Sequence, residues 1–413
     1  MNTERKKRIV IVGGGFGGLF CALNLGGNHI VTLIDPTDRF LFTPMLYEYF
    51  SGEFEARQIA PRYTELLPEG TGFLHGKVNA IDFNAQSVVL EAPEETLDYD
   101  ILILAMGSVV NFGDVEGAAQ YALPFRKIED AGMLRMRLTA AIAERINGRK
   151  ASAPALNKIL PVTIIGGNTN GVEIAAKIAE LLRATVKQRE LPLQIQTTIV
   201  EQGDTILPES GQKLRLKATE VLKQLDITIL PRAKTVKVTP VSIDVERNER
   251  WETLGSAVTV WTGGIQANPL VHHLHTPANQ AGQILTWPTL QIQTHNNVFA
   301  LGDAAHCANV EPSLHGTAQL AFQQAQLVAD NVSSLLSGRT LASGKFKDIG
   351  ETLSLGTSSG AVAIGGHVIT GRVARLARFA AFLGRLPTWY HRLKVAPELL
   401  TGGNRPKLLL DEA

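Results

Sequence analysis

Two glycine-rich turns, each set between a β-branched run and an apolar helix, limit this chain more than any other feature. The first is "RIVIVGGGFGGLFCALNL" (8–25) followed by "HIVTLID" (29–35). It reads strand, turn, helix, strand, the opening βαβ unit of a doubly wound parallel sheet. Its three spaced glycines have separate uses: Gly13 permits the tight turn, Gly15 lets the backbone approach a pyrophosphate, and Gly18 lets helix pack on strand. Phe16 and Gly17 stand at the helix start, where free amides and a positive dipole end favour an anion. Asp35 closes the second strand, where a carboxylate accepts hydrogen bonds from ribose hydroxyls. The second turn lies in "ILPVTIIGGNTNGVEIAAKIAEL" (159–181), with "QIQTTIVEQG" (194–203) as the following strand. Glycine is expected at its first, third and sixth positions, which are Gly166, Asn168 and Gly171, with Gly167 beside the first. The Asn168 side chain is expected to hold a pyrophosphate away from the backbone amides. That weakens the site without abolishing it, since asparagine is a mild replacement whose NH₂ can donate to phosphate.

Paired units of this kind predict an α/β fold of two Rossmann-like dinucleotide-binding domains, one inserted in the other. The first is expected over 1–120 and 286–345, the second over 121–285, and a C-terminal segment over 346–413, entered through "LSGRTLASGKF" (336–346). Three further apolar strands, "LDYDILILAMGS" (97–108), "AVTVWTGG" (257–264) and "NNVFALGDAAH" (296–306), each end in glycine. At 413 residues and 45% apolar content the chain can bury two substantial cores. Its net charge of +1 provides no overall field to recruit nucleic acid. Cys21 and Cys307 are too few for a disulfide framework and suit a reducing compartment. The N-terminus runs from charge straight into a strand with no signal-peptide core, and no apolar run reaches membrane-spanning length. The expected location is the cytoplasm or the cytoplasmic face of a membrane. Three histidines in "VHHLH" (271–275) have no carboxylate or cysteine beside them, so no metal is expected.

In order and spacing, "VGGGFGG", "GGNTNGVEIAA", "VWTGG", "VFALGDAA" and "AQLAFQQ" resemble the type II NAD(P)H:quinone oxidoreductases, and the likeness covers nearly the whole chain. Residues 39–67 and 385–395 look most like the cyanobacterial and plastid demethylphylloquinone reductase branch. The resemblance implies tight, non-covalent FAD in the first domain, at the first turn, Asp35, Ala105, Gly107, Gly302 and Asp303. It implies a visiting NADH, with NADPH as the other donor, at Gly166, Gly167, Asn168, Gly171, Glu201 and Gly264. Hydride passes to FAD and two electrons go on to a membrane quinone, a naphthoquinone such as demethylphylloquinone or a plastoquinone, without proton pumping.

Several residues carry a second reading. Asp303, at the end of an aliphatic strand, grips a ribityl hydroxyl by the resemblance, but an acid there is also an ordinary helix cap. The helix expected from Gly316 to Leu336 places Gln319 and Gln323 on one face, where amides can donate to a quinone carbonyl. A merely polar helix surface fits them as well. Glu173 either complements the second helix dipole or has a proton or charge role in quinone reduction. Glu201 either accepts the 2′-hydroxyl of NADH while repelling the 2′-phosphate of NADPH, or is an ordinary surface glutamate. In the C-terminal segment Leu376, Phe379, Leu383 and Leu386 share one arc, with Arg378 and Arg385 away from it and Trp389 and Tyr390 beyond. That pattern describes a helix lying on a lipid bilayer surface, with a core or homodimer helix as the alternative. The rival function is a regulatory or redox-sensing flavoprotein with a degenerate nicotinamide site. Asn168, the lead-in "EPSLHGTAQ" (311–319) and "AMG" in place of the usual ATG favour it.

Overall fold

The computed structural model describes residues 6–27, 29–91, 94–147, 158–310, 314, 316–401 and 403–410. The elements used below begin with β1 (Arg8–Val12), α1 (Phe16–Leu25), β2 (Ile30–Asp35), α2 (Leu46–Phe50), β3 (Thr71–His75), β4 (Ile101–Leu104) and α3 (Ile128–Ile146). They continue with β5 (Ile159–Ile165), α4 (Thr169–Gln188), β6 (Gln194–Val200), α5 (Gln212–Gln224), β7 (Ile227–Leu230), β8 (Val258–Trp261) and β9 (His295–Ala300). The last are α6 (Ala318–Leu336), β10 (Glu351–Ser354), β11 (Gly360–Ile364), β12 (His367–Gly371), α7 (Arg372–Leu383) and α8 (Trp389–Thr401). The chain forms two compact units, 1–42 with 60–109 and 265–348, and 43–59 with 110–264 and 349–413.

The first unit is built on five parallel strands in the order β9, β4, β1, β2, β3, extended past β9 by short strands at 291–292, 284–286 and 305–307. Central strands of a parallel sheet are covered on both faces, which is why β4 reads "ILIL" with every residue buried. α1 packs Leu19, Phe20, Cys21, Ala22 and Leu25 inward, against α6 among others. α6 begins at Ala318, later than expected, because Gly316 holds a left-handed φ of +72° and the Thr317 hydroxyl caps the helix by accepting from the Leu320 amide at 3.1 Å. Of the lead-in to this helix, residues 311–313 and 315 lie outside the described residues.

The second unit repeats the pattern with parallel strands in the order β7, β6, β5, β8. It adds an antiparallel meander over residues 234–255 and the antiparallel sheet β10, β11, β12. α7 packs on β11 and then meets α8. Among the described residues no helix is long and apolar enough to cross a membrane.

Candidate dinucleotide sites and a buried ion cluster

The first turn is fixed by conformation at one end and by close packing at the other. Gly13 has φ +100°, which strongly favours glycine, and a Cβ on Gly18 would run into the Gly13 carbonyl oxygen. Gly15 is different. Its backbone is ordinary (φ −65°, ψ −164°), and a Cβ there would meet no protein atom within 4 Å. Asp35 Oδ2 accepts from the Gly14 amide at 2.6 Å, and its Oδ1 takes the Thr37 amide and hydroxyl at 2.8 and 2.6 Å. The buried Tyr63 hydroxyl donates to Gly14 O at 2.9 Å and braces the turn from below. Among the described residues the amides of Phe16, Gly17 and Gly18 have no acceptor, so three first-turn donors remain for an anion. Phe16 sits among Phe20, Phe40 and Phe42.

At the ends of the neighbouring strands, Ala105 N donates to Val12 O at 2.8 Å, and Gly107 and Gly302 take left-handed φ values of +65° and +66°. Asp303 Oδ2 accepts from the Ser108 hydroxyl at 2.6 Å. The Gly302 amide donates to Gln324 Oε1 at 2.7 Å. Gln324 is 1% exposed, so one of the glutamines that made this helix look generically polar is the one that faces inward and holds the Asp303 turn. Gln319 and Gln323 share the other face, as expected, but their amides are engaged. Gln323 makes a two-way pair with the Lys347 backbone, donating to its carbonyl and accepting from its amide, each at 2.9 Å. Gln319 Nε2 reaches Lys347 O and Asp348 Oδ1, both at 3.4 Å.

The second turn repeats the glycine geometry and the acid brace of the first. Gly166 has φ +104°, and a Cβ on Gly171 would strike the Gly166 carbonyl oxygen. Glu201 Oε2 accepts from the Gly167 amide at 2.6 Å, and its Oε1 accepts from Gly203 N at 2.6 Å. Glu201 is thus a nearly buried turn brace and not an ordinary surface glutamate. Gly264, after β8, accepts from Asn111 N at 3.1 Å. Asn168 caps α4: its Oδ1 accepts from Gly171 N at 3.0 Å, and its Nδ2 donates to Thr262 O at 2.6 Å. Both polar ends of the side chain are thus tied down by protein, so its NH₂ is engaged with Thr262 O.

Glu173 is 4% exposed, too deep for a simple dipole partner at the helix surface. Its Oε1 accepts from the Ser354 amide at 2.6 Å and lies 3.6 Å from Arg378. Arg378, itself 1% exposed, bonds Glu48 at 2.8 Å and Pro44 O at 2.6 Å. Lys177 lies between Glu48, at 3.3 Å, and Glu53, and Arg375 reaches Glu53 at 2.5 Å. Three carboxylates and three cations from α2 and its flank, α4 and α7 therefore share one buried cluster. Burial pushes Glu173 up to about 7 against the pull of Arg378. Burial pushes Glu48 up as well, but Arg378 and Lys177 outweigh it and hold the group at about 2. The Tyr47 hydroxyl beside Glu173 donates to Asn170 Oδ1 at 2.7 Å.

This cluster also overturns the expected face of the C-terminal helix. Phe379 and Leu386 are buried, Leu376 is exposed, and Arg378 points inward. The reason is that Glu48 and Glu53 await the arginines inside the unit, while aromatic rings cover the guanidinium faces: Arg375 stacks 4.8 Å from Phe379 and Arg378 4.6 Å from Phe382. The apolar side chains left outside are Val373, Leu376, Trp389, Tyr390, Leu393 and Leu400.

Two strand–turn–helix units with an acid after each second strand define a double dinucleotide-binding oxidoreductase fold. The chain belongs to the pyridine nucleotide-disulphide oxidoreductase family, whose profile matches residues 7–325, and within it to the type II NAD(P)H:quinone oxidoreductases. It is 35% identical to the demethylphylloquinone reductase NdbB of Synechocystis sp. over 97% of both chains. It is 32% identical to the chloroplastic/mitochondrial alternative NAD(P)H-ubiquinone oxidoreductase C1 of Arabidopsis thaliana, covering 95% of this chain and 80% of that one. Among solved structures, NDH2 from Plasmodium falciparum in complex with NADH matches the fold with a TM-score of 0.87 at 20% identity, over 98% of this chain and 100% of that one. Despite the family's name, the chain's two cysteines are both free and buried.

Proposed function

We propose that this enzyme oxidises NADH, in preference to NADPH, and reduces a membrane quinone of the naphthoquinone or plastoquinone class, with FAD held tightly and non-covalently in the first unit. The observation that carries the reading is the duplicated turn: one copy has three unengaged first-turn amides beside an open Gly15, and the other keeps its acid and its first two amides. FAD supplies a two-electron carrier between the two substrates. Asp35 and Glu201 stand where adenosine ribose hydroxyls bind such turns, and the Glu201 charge disfavours a 2′-phosphate. Asp303, set by Ser108 and Gln324, is the carboxylate for a flavin hydroxyl. Gln319 and Gln323 donate to a quinone carbonyl in competition with Lys347 O. Glu173, near neutrality in its protonation, suits a group that holds a proton within the second unit at working pH. Trp389, Tyr390 and Leu393 form the apolar side toward a bilayer surface.

The purified yellow protein mixed anaerobically with NADH tests this reading directly. Bleaching of the flavin band, reversed by a menadione-type quinone, is expected. Absence of bleaching at millimolar NADH would leave the regulatory flavoprotein as the better reading.

A further inference from the structure

We infer that Asn168 is a positioning residue for the dinucleotide in the second unit, a strap that presets the turn and not a defect in it. The inference rests on the nicotinamide reading above. The backbone at Asn168 (φ −71°, ψ −178°) is extended and open to any residue, so glycine is not needed there for conformation. The side chain uses this freedom to tie two parallel strands together at their carboxyl ends. Its Nδ2 reaches Thr262 O beyond β8, and the Thr262 hydroxyl in turn donates to Ile165 O at 2.9 Å and Gly166 O at 3.1 Å at the end of β5. Glu201 ties β6 to the same turn through Gly167 N. Asn170, two residues on, is held by Tyr47. Every side of the turn is therefore braced before any ligand arrives.

The strap has a definite cost to anion binding. Asn168 Oδ1 occupies the Gly171 amide, so that within the first turn of α4 the amides of Thr169 and Asn170 are the ones without an acceptor among the described residues. With its own two ends engaged, the Asn168 amide is not free to swing across those two donors. The turn gives up one phosphate donor for a fixed geometry. A substrate that must enter and leave in every turnover gains from a preset site of modest affinity, because less ordering is needed at each binding event.

Replacing Asn168 by glycine restores the family pattern at this position but removes cap and strap together and adds backbone freedom. Binding of ADP-ribose, which occupies the dinucleotide turn without any hydride chemistry, is the readout, with the FAD-loaded full chain as the protein. Asn168→Gly is expected to weaken ADP-ribose by about tenfold and to raise the KM for NADH in parallel. Flavin reduction at saturating NADH and flavin content should stay at the parent level. Asn168→Ser keeps an oxygen for the Gly171 amide but cannot reach Thr262, and should fall between glycine and the parent. Glycine or serine variants that bind ADP-ribose as tightly as the parent, or more tightly, overturn the inference while leaving the nicotinamide site in place. A parent protein that binds no ADP-ribose and shows no bleaching with NADH overturns the nicotinamide reading and this inference with it.

Discussion

The third position of the turn is glycine in the first unit and asparagine in the second, yet the backbone is nearly the same at both. Gly15 has φ −65° and ψ −164°, Asn168 φ −71° and ψ −178°. The flanking glycines differ from this one in kind. Gly13 and Gly166 are needed for positive φ, and Gly18 and Gly171 for close approach to a carbonyl. Glycine at the middle position reports on what must come near the backbone, and not on how the chain folds. The contrast continues into the helices that follow. α1 buries an apolar face with Cys21 as its most polar member, whereas α4 buries Glu173 and Lys177 and needs counter-charges brought from elsewhere in the chain.

The sharpest way to break the comparison is Gly15→Val. No protein atom lies within 4 Å of a Cβ there, so the purified variant should carry no flavin yet fold and melt like the flavin-stripped parent. Retention of one flavin per chain, read from the ratio of visible to ultraviolet absorbance, would place the cofactor elsewhere. Next in size is Arg378→Met, which leaves Glu48 buried without its strongest partner and should cost about 3–5 kcal/mol in denaturant unfolding. A change confined to the exposed surface of α7, such as Val373→Ser, should cost far less. For the same reason a deletion of residues 371–413 does not isolate membrane attachment, since it removes the buried Arg378 together with Arg375, the partners of Glu48 and Glu53.

A smaller effect concerns pH. Glu173 has a folded-state pKa of about 7 against an ordinary 4.5, so its contribution to stability is fully present below about 4.5 and is lost as pH rises through 7. Glu173→Gln is neutral throughout and escapes that loss. Its stability relative to the parent should therefore rise by about 2–3 kcal/mol between pH 4.5 and 8. The opposite contribution of Glu48, present above about 4.5 and lost as pH falls toward 2, is common to both proteins. Arg378, Ser354 and Tyr47 also face Glu173 and remain in the variant. A flat difference across that range would show that Glu173 is ionised throughout. The smallest expected change is Glu201→Ala. It should erode the preference for NADH over NADPH by about tenfold, while Asp35→Ala in the first unit should reduce flavin content instead.

What was legible in the sequence follows from distance along the chain. Each turn is chemistry within a few dozen residues, so the paired units and the acid closing each could be read from glycine spacing and β-branched runs. Asn168 was visible too, but its meaning depended on noticing an asparagine directly before a helix, which is a capping signal. The ion cluster could not be read in this way. Glu48 and Arg378 are 330 residues apart, and periodicity places an arginine within an apolar helix on the water side. Helix periodicity likewise could not tell the buried Gln324 from the half-buried Gln319 and Gln323.

The same separation has a consequence for how the protein is made. At about 5–20 residues per second, some 15–65 s pass between synthesis of Glu48 and of Arg378. During that interval the amino-terminal part of the second unit holds Glu48, Glu53 and Lys177 without two of the cations that neutralise them, and a dry core around them is unfavourable. The second unit is thus completed after translation is nearly over. A chain that stops before residue 378 lacks the partner of the buried Glu48 and is expected to be less stable than the complete protein.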